Sequence, residues 1–354
     1  MYTKVLFIVT EKHMLTNMKH MLDEIQRYPV TTHVYVSPFK SIPFVDRLKY
    51  GKKYLRLLKQ DFREKVPSEY FINTLIIYSN AEGFWISNKD NWSSLFIHCT
   101  EVFLQHGIMP ISIGYCHLRG LLNFCSSLLM GYNIIGKGFG GVKADYMVVY
   151  GSAYKNFLVD KKGWKDGQIL VSGCVFKSSH IDSSFDCKKP ISKSCLLLLQ
   201  NLSAFYISEQ RFVSYCRKIL EDLSFKYDKI IVRKHPKMSI EYDSIWKGLK
   251  NVCISQSSLR TDILSVEHVF SFFSTALIDA YLLNRKVIAI KLPEIPINVY
   301  TSFNRVIHVD DLKEYLLTQI DIDKMANINN LYFDTKTSTN DILKELLCKS
   351  KFCI

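Results

Sequence analysis

The sequence predicts an α/β protein made of two consecutive domains, each built around a parallel sheet. Short apolar runs rich in β-branched residues alternate with amphipathic segments along most of the 354 residues. A polar stretch rich in Ser and Lys, residues 174–194, interrupts this alternation, which then restarts. Strands that alternate with helices form parallel sheets covered on both faces. A chain of this length also exceeds what one core commonly organises.

The strand-like runs of the first half are short and apolar. They are KVLFIVT (4–10), TTHVYVS (31–37), INTLIIYS (72–79), SLFIHC (94–99), EVFLQHG (101–107) and ADYMVVYG (144–151). After the polar stretch the runs are CLLLLQ (195–200), KIIVR (229–233), NVCIS (251–255), HVFSFF (268–273), KVIAI (286–290) and NRVIHV (304–309). Helical periodicity covers residues 14–28, 208–225 and 275–284 between them.

The alternation and its interruption predict the domain organisation. We expect an N-terminal Rossmann-like domain over residues 1–180, a second Rossmann-like domain over 190–330 and a helical tail over 331–354. The two doubly wound domains are expected to face a central cleft.

The charge of the chain predicts an anionic partner. There are 46 Lys and Arg against 33 Asp and Glu, a net charge of +13. Nucleic acid, an acidic membrane surface and phosphorylated substrates all fit such a charge. No nucleic-acid-binding module is visible, and many of the 20 Tyr and 22 Phe lie in strand-like apolar runs, where core packing explains them. We therefore do not expect nucleic acid as a partner.

A basic amphipathic segment, residues 47–65, is the candidate for contact with an anionic membrane surface. The apolar side chains Leu48, Leu55, Leu58 and Phe62 fall on one helical face. An ordinary solvated helix packed on its domain explains the same pattern, and the sequence leaves both interpretations open. The longest apolar window, residues 120–136, is shorter than the ~20 residues that a spanning helix needs.

Cysteine usage and the first residues predict where the protein resides. None of the 10 cysteines forms a C-x-x-C pair, which favours free thiols in a reducing compartment. The first apolar run is too short for a signal peptide and lacks a small-residue cleavage site. We expect a cytoplasmic protein that can lie peripherally on the inner face of the plasma membrane.

One apolar run ends in three adjacent nitrogen-bearing side chains. Arg233, Lys234 and His235 follow KIIV, and Pro236 disfavours a helical conformation at the histidine. In open α/β sheets, ligands bind outside the carboxyl ends of the strands, and anions are favoured there. This strand end is a candidate phosphate site, although a surface basic cluster would look the same.

A second strand end, in FSFFSTALID, carries Ser274 and Thr275 at the start of a helix. Ser and Thr are favoured helix caps, and a cap uses the same geometry as a phosphate site. The motif alone does not distinguish the two. Its occurrence in the same half of the chain as the His-Pro strand end favours a phosphate site.

The third strand end lies in the first half of the chain and reads Gln105, His106, Gly107. A glycine lets the backbone turn sharply or a ligand approach closely. A histidine there can act as a general base near neutral pH. A histidine that is hydrogen-bonded to backbone is the alternative.

These three stretches resemble two groups of bacterial surface-polysaccharide transferases. FLQHGI, RKHP and FSTALID are similar to the Gln-His-Gly, Arg-x-His-Pro and Ser-Ser-x-x-x-Asp motifs of the CDP-glycerol glycerophosphotransferases. Ser274, Thr275 and Asp279 fall on the last of these, with Thr in place of the second Ser. The His-Pro and Ser-Thr pair also resembles the sialyltransferases and polysialyltransferases that use CMP-sialic acid. All these enzymes share the GT-B fold, in which the second of two Rossmann-like domains binds the nucleotide donor. The resemblance therefore implies that the second domain of this chain binds the donor and that the first serves the acceptor.

The resemblance implies a metal-independent, inverting glycosyltransferase that needs no cofactor. Its donor would be a CMP-activated acidic sugar, or a CDP-linked group in the alternative, and its acceptor a glycan or lipid-linked glycan of the cell surface. The Arg233–Pro236 strand end, Ser274 and Thr275 would bind the donor phosphate, with His235 stabilising the leaving nucleotide. His106 would deprotonate the acceptor hydroxyl, with Gln105 and Gly107 near the acceptor or donor sugar.

Overall fold

A computed structural model shows the chain as two compact units. The first unit comprises Met1–Ser179 together with Asn330–Ile354, and the second comprises His180–Asn329. The structure describes residues 2–9, 12–37, 44–79, 83–105, 126, 128–130, 132–133, 139–173, 190–202, 207–235, 238, 243–304, 306–318, 329, 331–334 and 337–349.

The strands form two six-stranded sheets, and every strand pair in them is parallel. The strands of the first unit are β1 Lys4–Val9, β2 Thr31–Val36, β3 Leu75–Tyr78, β4 Thr100–Leu104, β5 Tyr146–Val149 and β6 Ile169–Val171. Those of the second unit are β7 Ser194–Leu198, β8 Lys229–Arg233, β9 Val252–Ile254, β10 His268–Ser271, β11 Lys286–Lys291 and β12 Val306–His308. Continuous apolar runs suit these strands because parallel sheets are buried on both faces.

Helices connect the strands, as parallel pairing requires. They are α1 Lys12–Ile25, α2 Phe44–Lys65, α3 Gly83–Ser87, α4 Asp90–Ser93, α5 Ser152–Lys162, α6 Glu209–Ser224, α7 Asp243–Trp246, α8 Leu259–Ser265, α9 Ala276–Leu282, α10 Leu312–Leu317 and α11 Thr339–Cys348. Over the residues that the structure describes, none of these helices has the length and apolar character needed to cross a membrane.

Both sheets are doubly wound. The first has the order β2-β1-β3-β4-β5-β6, and the second has the order β12-β11-β10-β7-β8-β9. The winding direction reverses between β1 and β3 in the first sheet, and between β7 and β10 in the second. These are the topological switch points at which ligands bind in such sheets. The prediction of two Rossmann-like α/β domains with GT-B sheet architecture is confirmed.

The C-terminal segment, which the sequence sets apart as a tail, packs within the first unit. The amide of Tyr2 donates to the carbonyl of Leu347 at 3.3 Å, and the hydroxyl of Tyr28 donates to Oδ1 of Asn340 at 2.7 Å. The amide of Asp334 donates to the carbonyl of Tyr150 at 2.7 Å. The return of the chain thus covers the region just beyond β5.

Gly173 makes this return possible and provides a test of it. Its φ is +62°, and a Cβ there would lie 2.0 Å from the carbonyl oxygen of Asp334. Gly163 has a φ of +63° with nothing within 4 Å of the corresponding Cβ. Gly163→Ala should cost about 1–2 kcal/mol of unfolding free energy for the left-handed backbone alone. Gly173→Ala should cost roughly 1–3 kcal/mol more, because it also displaces the returning chain.

Denaturant unfolding of the two variants measures this difference. Because the backbone conformations match, the excess loss in Gly173→Ala isolates the contact with Asp334. Equal losses in both variants would show that the returning segment moves aside without cost.

His268, at the amino end of β10, is a buried histidine whose two ring nitrogens have no hydrogen-bond partner. Its side chain is packed 5.5 Å from the ring of Tyr227, centroid to centroid. Burial, with smaller contributions from Lys286 and Lys226, lowers the pKa of His268 from 6.5 to about 4. The imidazole is therefore neutral in the folded protein at neutral pH.

The lowered pKa of His268 makes the stability of the protein depend on acidity. The unfolded chain binds a proton near pH 6.5, whereas the folded chain resists it down to about pH 4. The part of the unfolding free energy that depends on a neutral His268 is fully present above pH 6.5. It is lost as the pH falls from about 6.5 to about 4, by about 3 kcal/mol in all. His268→Leu should flatten this part of the curve of unfolding free energy against pH. If the unfolding free energy of the variant and of the parent changed equally with pH between 7 and 4.5, His268 would not be the source of this pH dependence.

Candidate nucleotide-binding site

The candidate site lies at the carboxyl edge of the second sheet, around its switch point. β7 has β10 on one side and β8 on the other, and β9 follows β8. The residues after these strands therefore come out at one edge. Adjacent strands are roughly 4.8 Å apart, so the ends of β8 and β10 are separated by roughly 10 Å, a span that a nucleotide phosphate and its sugar can bridge.

Hydrogen bonds across the switch point fix the loop after β10. Oε1 of Gln200, just beyond β7, accepts from the amide of Phe273 at 2.8 Å. The hydroxyl of Ser271 donates to the carbonyl of Leu198 at 2.8 Å. Both contacts join the ends of β7 and β10. They hold the backbone that carries Ser274 and Thr275 beside the end of β7.

Ser274 and Thr275 directly precede α9, close to the helix start that the sequence predicts. Oγ of Ser274 accepts from the amide of Ala276 at 3.2 Å, which is a local capping contact. Both side chains are half-buried at the sheet edge. α9 has only 7 residues, so its dipole would contribute little to the binding of a phosphate. Hydrogen bonds from hydroxyl groups and from the amides of the loop would contribute more. The hydroxyl of Ser274 keeps its own proton for donation to a ligand, since it accepts in the capping contact.

Arg233 turns toward β9 and the loop that follows it. Its Nη1 lies 2.8 Å from Oδ2 of Asp262, 3.1 Å from Oγ of Ser255 and 2.7 Å from the carbonyl of Ser257. The carboxylate of Asp262 is only 5% exposed, so this pair is largely buried. Arg233 thus holds the β9–α8 loop against the end of β8. The phosphate contact predicted for it would have to use its other N–H groups.

Lys234 and His235 follow Arg233 at the end of β8 and are half-buried. Nζ of Lys234 lies 5.1 Å from the centroid of the Trp246 ring, a cation–π distance. The carbonyl of His235 accepts from the amide of Met238 at 2.9 Å, which turns the chain just after the strand. Pro236 lies outside the described residues. Lys234 and His235 thus follow β8, the strand that pairs with β7.

In the first unit, Gln105 follows β4 and is 1% exposed. Its backbone N–H donates to the carbonyl of Val148 at 2.9 Å. Its side-chain oxygen, Oε1, accepts from the backbone N–H of Tyr150, also at 2.9 Å. Gln105 therefore ties the end of β4 to the end of β5. His106 and Gly107 come next in the chain and lie outside the described residues, so their predicted roles remain predictions.

Two residues at the carboxyl edge of the second sheet are absent from the sequence-based site. One is Gln200; the other is Glu294, which follows β11. Glu294 accepts from the hydroxyl of Tyr215 at 3.0 Å and pairs with Arg211 at 2.7 Å. Gln200 could have been found, because it is a polar residue that ends an apolar run, as His235 does. Glu294 has no comparable signal, since its partners come from a helix far away in the chain.

Comparison with solved structures shows the same fold over the whole chain. UDP-GlcNAc 2-epimerase from Neisseria meningitidis bound to UDP-GlcNAc superposes with a TM-score of 0.59 at 14% identity, covering 98% of this chain and 100% of that one. The S. aureus MnaA–UDP complex gives a TM-score of 0.59 at 10% identity, covering 98% and 96%. A variant of the wall teichoic acid polymerase TagF gives 0.53 at 11% identity, covering 98% and 88%.

Sequence comparisons add nothing to this likeness: no protein-family model and no curated protein matches the chain. At 10–14% identity the structural likeness establishes the fold alone. The chain therefore has the two-unit α/β fold of GT-B-like proteins.

Proposed function

We propose that this chain is a metal-independent glycosyltransferase that moves an acidic sugar, such as sialic acid, from a CMP-activated donor to a surface glycan. One observation carries the proposal. β8 and β10, which are followed by His235 and by the Ser274–Thr275 pair, lie on either side of β7, next to the switch point of the second sheet. A phosphate bound there would meet a histidine and Lys234 on one side and two hydroxyl groups on the other.

The fold supports a nucleotide-sugar ligand of some kind. Two of the similar structures are complexes with UDP-GlcNAc and with UDP, and a third is a wall teichoic acid polymerase. The preference for cytidine rests on the resemblance of RKHP and FFSTAL to the sialyltransferase motifs. The same strand-end motifs also resemble those of the CDP-glycerol glycerophosphotransferases, so a glycerophosphotransferase of that type is the alternative.

The proposed reaction is a single displacement. His106 takes the proton of the acceptor hydroxyl, whose oxygen attacks the anomeric carbon of the donor sugar. The bond from that carbon to the phosphate oxygen breaks, and CMP leaves with the electron pair. Lys234, His235 and the hydroxyls of Ser274 and Thr275 stabilise the charge that develops on the phosphate. Attack from the opposite face inverts the anomeric centre.

Nucleotide-dependent thermal stabilisation tests the proposal. CMP, CDP, UDP and GDP, each with its sugar conjugates, are compared for their effect on the unfolding temperature. A ligand at a hundred times its dissociation constant adds about 2.7 kcal/mol to stability, so a bound nucleotide gives a clear shift. We expect CMP and CMP-sialic acid to stabilise the protein, followed by release of CMP when an acceptor glycan is added.

Two outcomes would count against the cytidine donor. Saturable stabilisation by UDP, with none by CMP or CDP, would exclude it and would favour chemistry like that of the epimerases. Stabilisation by CDP-glycerol, with none by CMP-sialic acid, would favour the glycerophosphotransferase.

A further inference from the structure

Gln200 lies near the middle of the carboxyl edge of the second sheet, two residues beyond the end of β7. β7 has β8 on one side and β10 on the other, and the switch point lies between β7 and β10. The backbone N–H of Leu199 donates to the carbonyl of Arg233 at 2.9 Å, which keeps the end of β7 beside the end of β8. Gln200 thus follows the middle one of three adjacent strands, and His235 and Ser274 follow the other two.

The contact that Gln200 makes with the loop after β10 fixes which way its side-chain amide points. Its oxygen, Oε1, accepts from the backbone N–H of Phe273 at 2.8 Å. The reverse orientation is excluded, because an NH2 group in that place would face another donor. The NH2 group of Gln200 is therefore the free end of the amide. The side chain is half-buried, and within the described ranges this NH2 group has no hydrogen-bond partner.

Ser274, the residue after Phe273, also offers donors at this place. Its Oγ accepts from the backbone N–H of Ala276 at 3.2 Å, and its carbonyl accepts from that of Leu277 at 3.0 Å. Its own backbone N–H has no partner among the residues that the structure describes, and its hydroxyl proton is available as well. Because the NH2 group of Gln200 shares a carbon atom with the oxygen that contacts Phe273, it lies beside the loop that carries these donors.

Groups that only donate suit a ligand group that only accepts. An ionised phosphate fits this description, because its charged oxygens carry no hydrogen. We propose that the NH2 group of Gln200 binds the phosphate of the nucleotide donor, beside Ser274. This inference rests on the proposed function, which places a nucleotide phosphate at the same switch point. Gln200 thus holds the loop after β10 with its oxygen and the phosphate with its nitrogen.

Gln200→Glu separates these two roles. One oxygen of the new carboxylate can still accept from the backbone N–H of Phe273, so the variant should keep the parent's unfolding temperature. The other oxygen replaces the NH2 group and brings a negative charge towards the phosphate. Loss of a hydrogen bond to a charged group weakens binding roughly ten- to hundredfold, and repulsion between like charges adds to this. Calorimetric titration at neutral pH should therefore show that CMP binds at least about a hundredfold more weakly.

Two further variants complete the comparison. Gln200→Ala removes both contacts, so it should lower the unfolding temperature and also weaken CMP binding roughly ten- to hundredfold. Gln256→Glu is the matched control for the added charge. Gln256 is exposed in the loop after β9, at the same edge of the sheet, and β8 separates β9 from β7. Solvent and salt screen a charge at such a position, so this control should lose no more than a few-fold in CMP affinity.

Parallel titrations with CMP, UDP and their nucleosides distinguish this inference from the proposed function. If the parent binds UDP and not CMP, the cytidine donor is wrong, but the same loss of UDP affinity in Gln200→Glu still supports the phosphate contact. If Gln200→Glu binds the parent's preferred nucleotide as tightly as the parent does, Gln200 does not contact the phosphate. The inference is also overturned if Gln256→Glu loses as much affinity as Gln200→Glu, or if the parent binds neither nucleotide. Two other results would overturn it: an equal loss for the matching nucleoside, which has no phosphate, or an unfolding temperature of Gln200→Glu as low as that of Gln200→Ala.

Discussion

Replacing Glu101 with alanine should lower the free energy of unfolding of the first unit by about 3–5 kcal/mol. The carboxylate of Glu101, on β4, forms an ion pair with Nζ of Lys89. The side chains of the pair are only 17% and 10% exposed, respectively. Without the carboxylate, a buried ammonium would lack its counter-charge, which is the costly way to break such a pair.

The other oxygen of Glu101 adds to the expected loss. Oε1 accepts from the hydroxyl of Tyr78 at 2.8 Å, and Tyr78 is fully buried in β3. Burial and the charge of Glu101 raise the pKa of Tyr78 well above its ordinary value, so the hydroxyl remains a donor. Nζ of Lys89 also lies 5.6 Å from the centroid of the Phe103 ring. One substitution thus leaves two buried polar groups without their acceptor.

Denaturant unfolding of Glu101→Ala and of a surface control measures the effect. Asp166 pairs with Lys155 at 2.9 Å but is 76% exposed, so Asp166→Ala should cost less than about 1 kcal/mol. The triple variant Glu101→Leu/Lys89→Met/Tyr78→Phe should recover most of the loss, because it removes the carboxylate together with the ammonium and the hydroxyl that depend on it. If Glu101→Ala lowers the free energy of unfolding no more than Asp166→Ala does, the contacts of Glu101 with Lys89 and Tyr78 do not stabilise the first unit.

Local patterns predicted most elements, because burial on both faces of a parallel sheet leaves a continuous apolar signature. KIIVR is β8 residue for residue, and the helix expected over residues 208–225 is α6, Glu209–Ser224, capped by Ser208. SLFIHC failed as a strand. Its Ile97 forms only an isolated bridge with Ile72, and His98 has a φ of +53°, which no strand continues through. The three-residue β6 was too short to stand out.

The candidate site was predictable only where its signal is local. Ser274 directly follows an apolar run, and His235 follows one after two basic residues, so strand boundaries alone place both near a sheet edge. The partner of Arg233 could not be read from sequence, because Asp262 comes from a helix beyond the next strand. Whether Arg233 pairs with Asp262 or with a ligand phosphate depends on which groups lie near it in the folded chain. The same holds for Gln105, whose side-chain oxygen accepts from the backbone amide of Tyr150, just beyond the neighbouring strand β5.

His235→Ala should weaken binding of CMP roughly ten- to hundredfold and should lower turnover as well. His235 lies two residues beyond the end of β8, which pairs with β7 beside the switch point of the second sheet, where the donor phosphate is proposed to bind. A hydrogen bond to a charged group contributes about 1.5–3 kcal/mol, which corresponds to this range. Calorimetric titration of CMP measures the affinity, and release of CMP in the presence of an acceptor measures turnover.

His106→Ala should give the opposite pattern. As the proposed general base it meets the acceptor hydroxyl and not the nucleotide, so CMP affinity should stay nearly intact. Turnover should fall roughly a hundredfold or more, the typical loss when a general base is removed. His308→Ala is the matched control. His308 is the last residue of β12, which lies at the far edge of the second sheet, away from the switch point. His308→Ala should leave both affinity and turnover unchanged. Equal loss of CMP affinity in His235→Ala and His106→Ala, or full turnover in His106→Ala, would show that the two histidines do not divide donor binding and proton transfer between them.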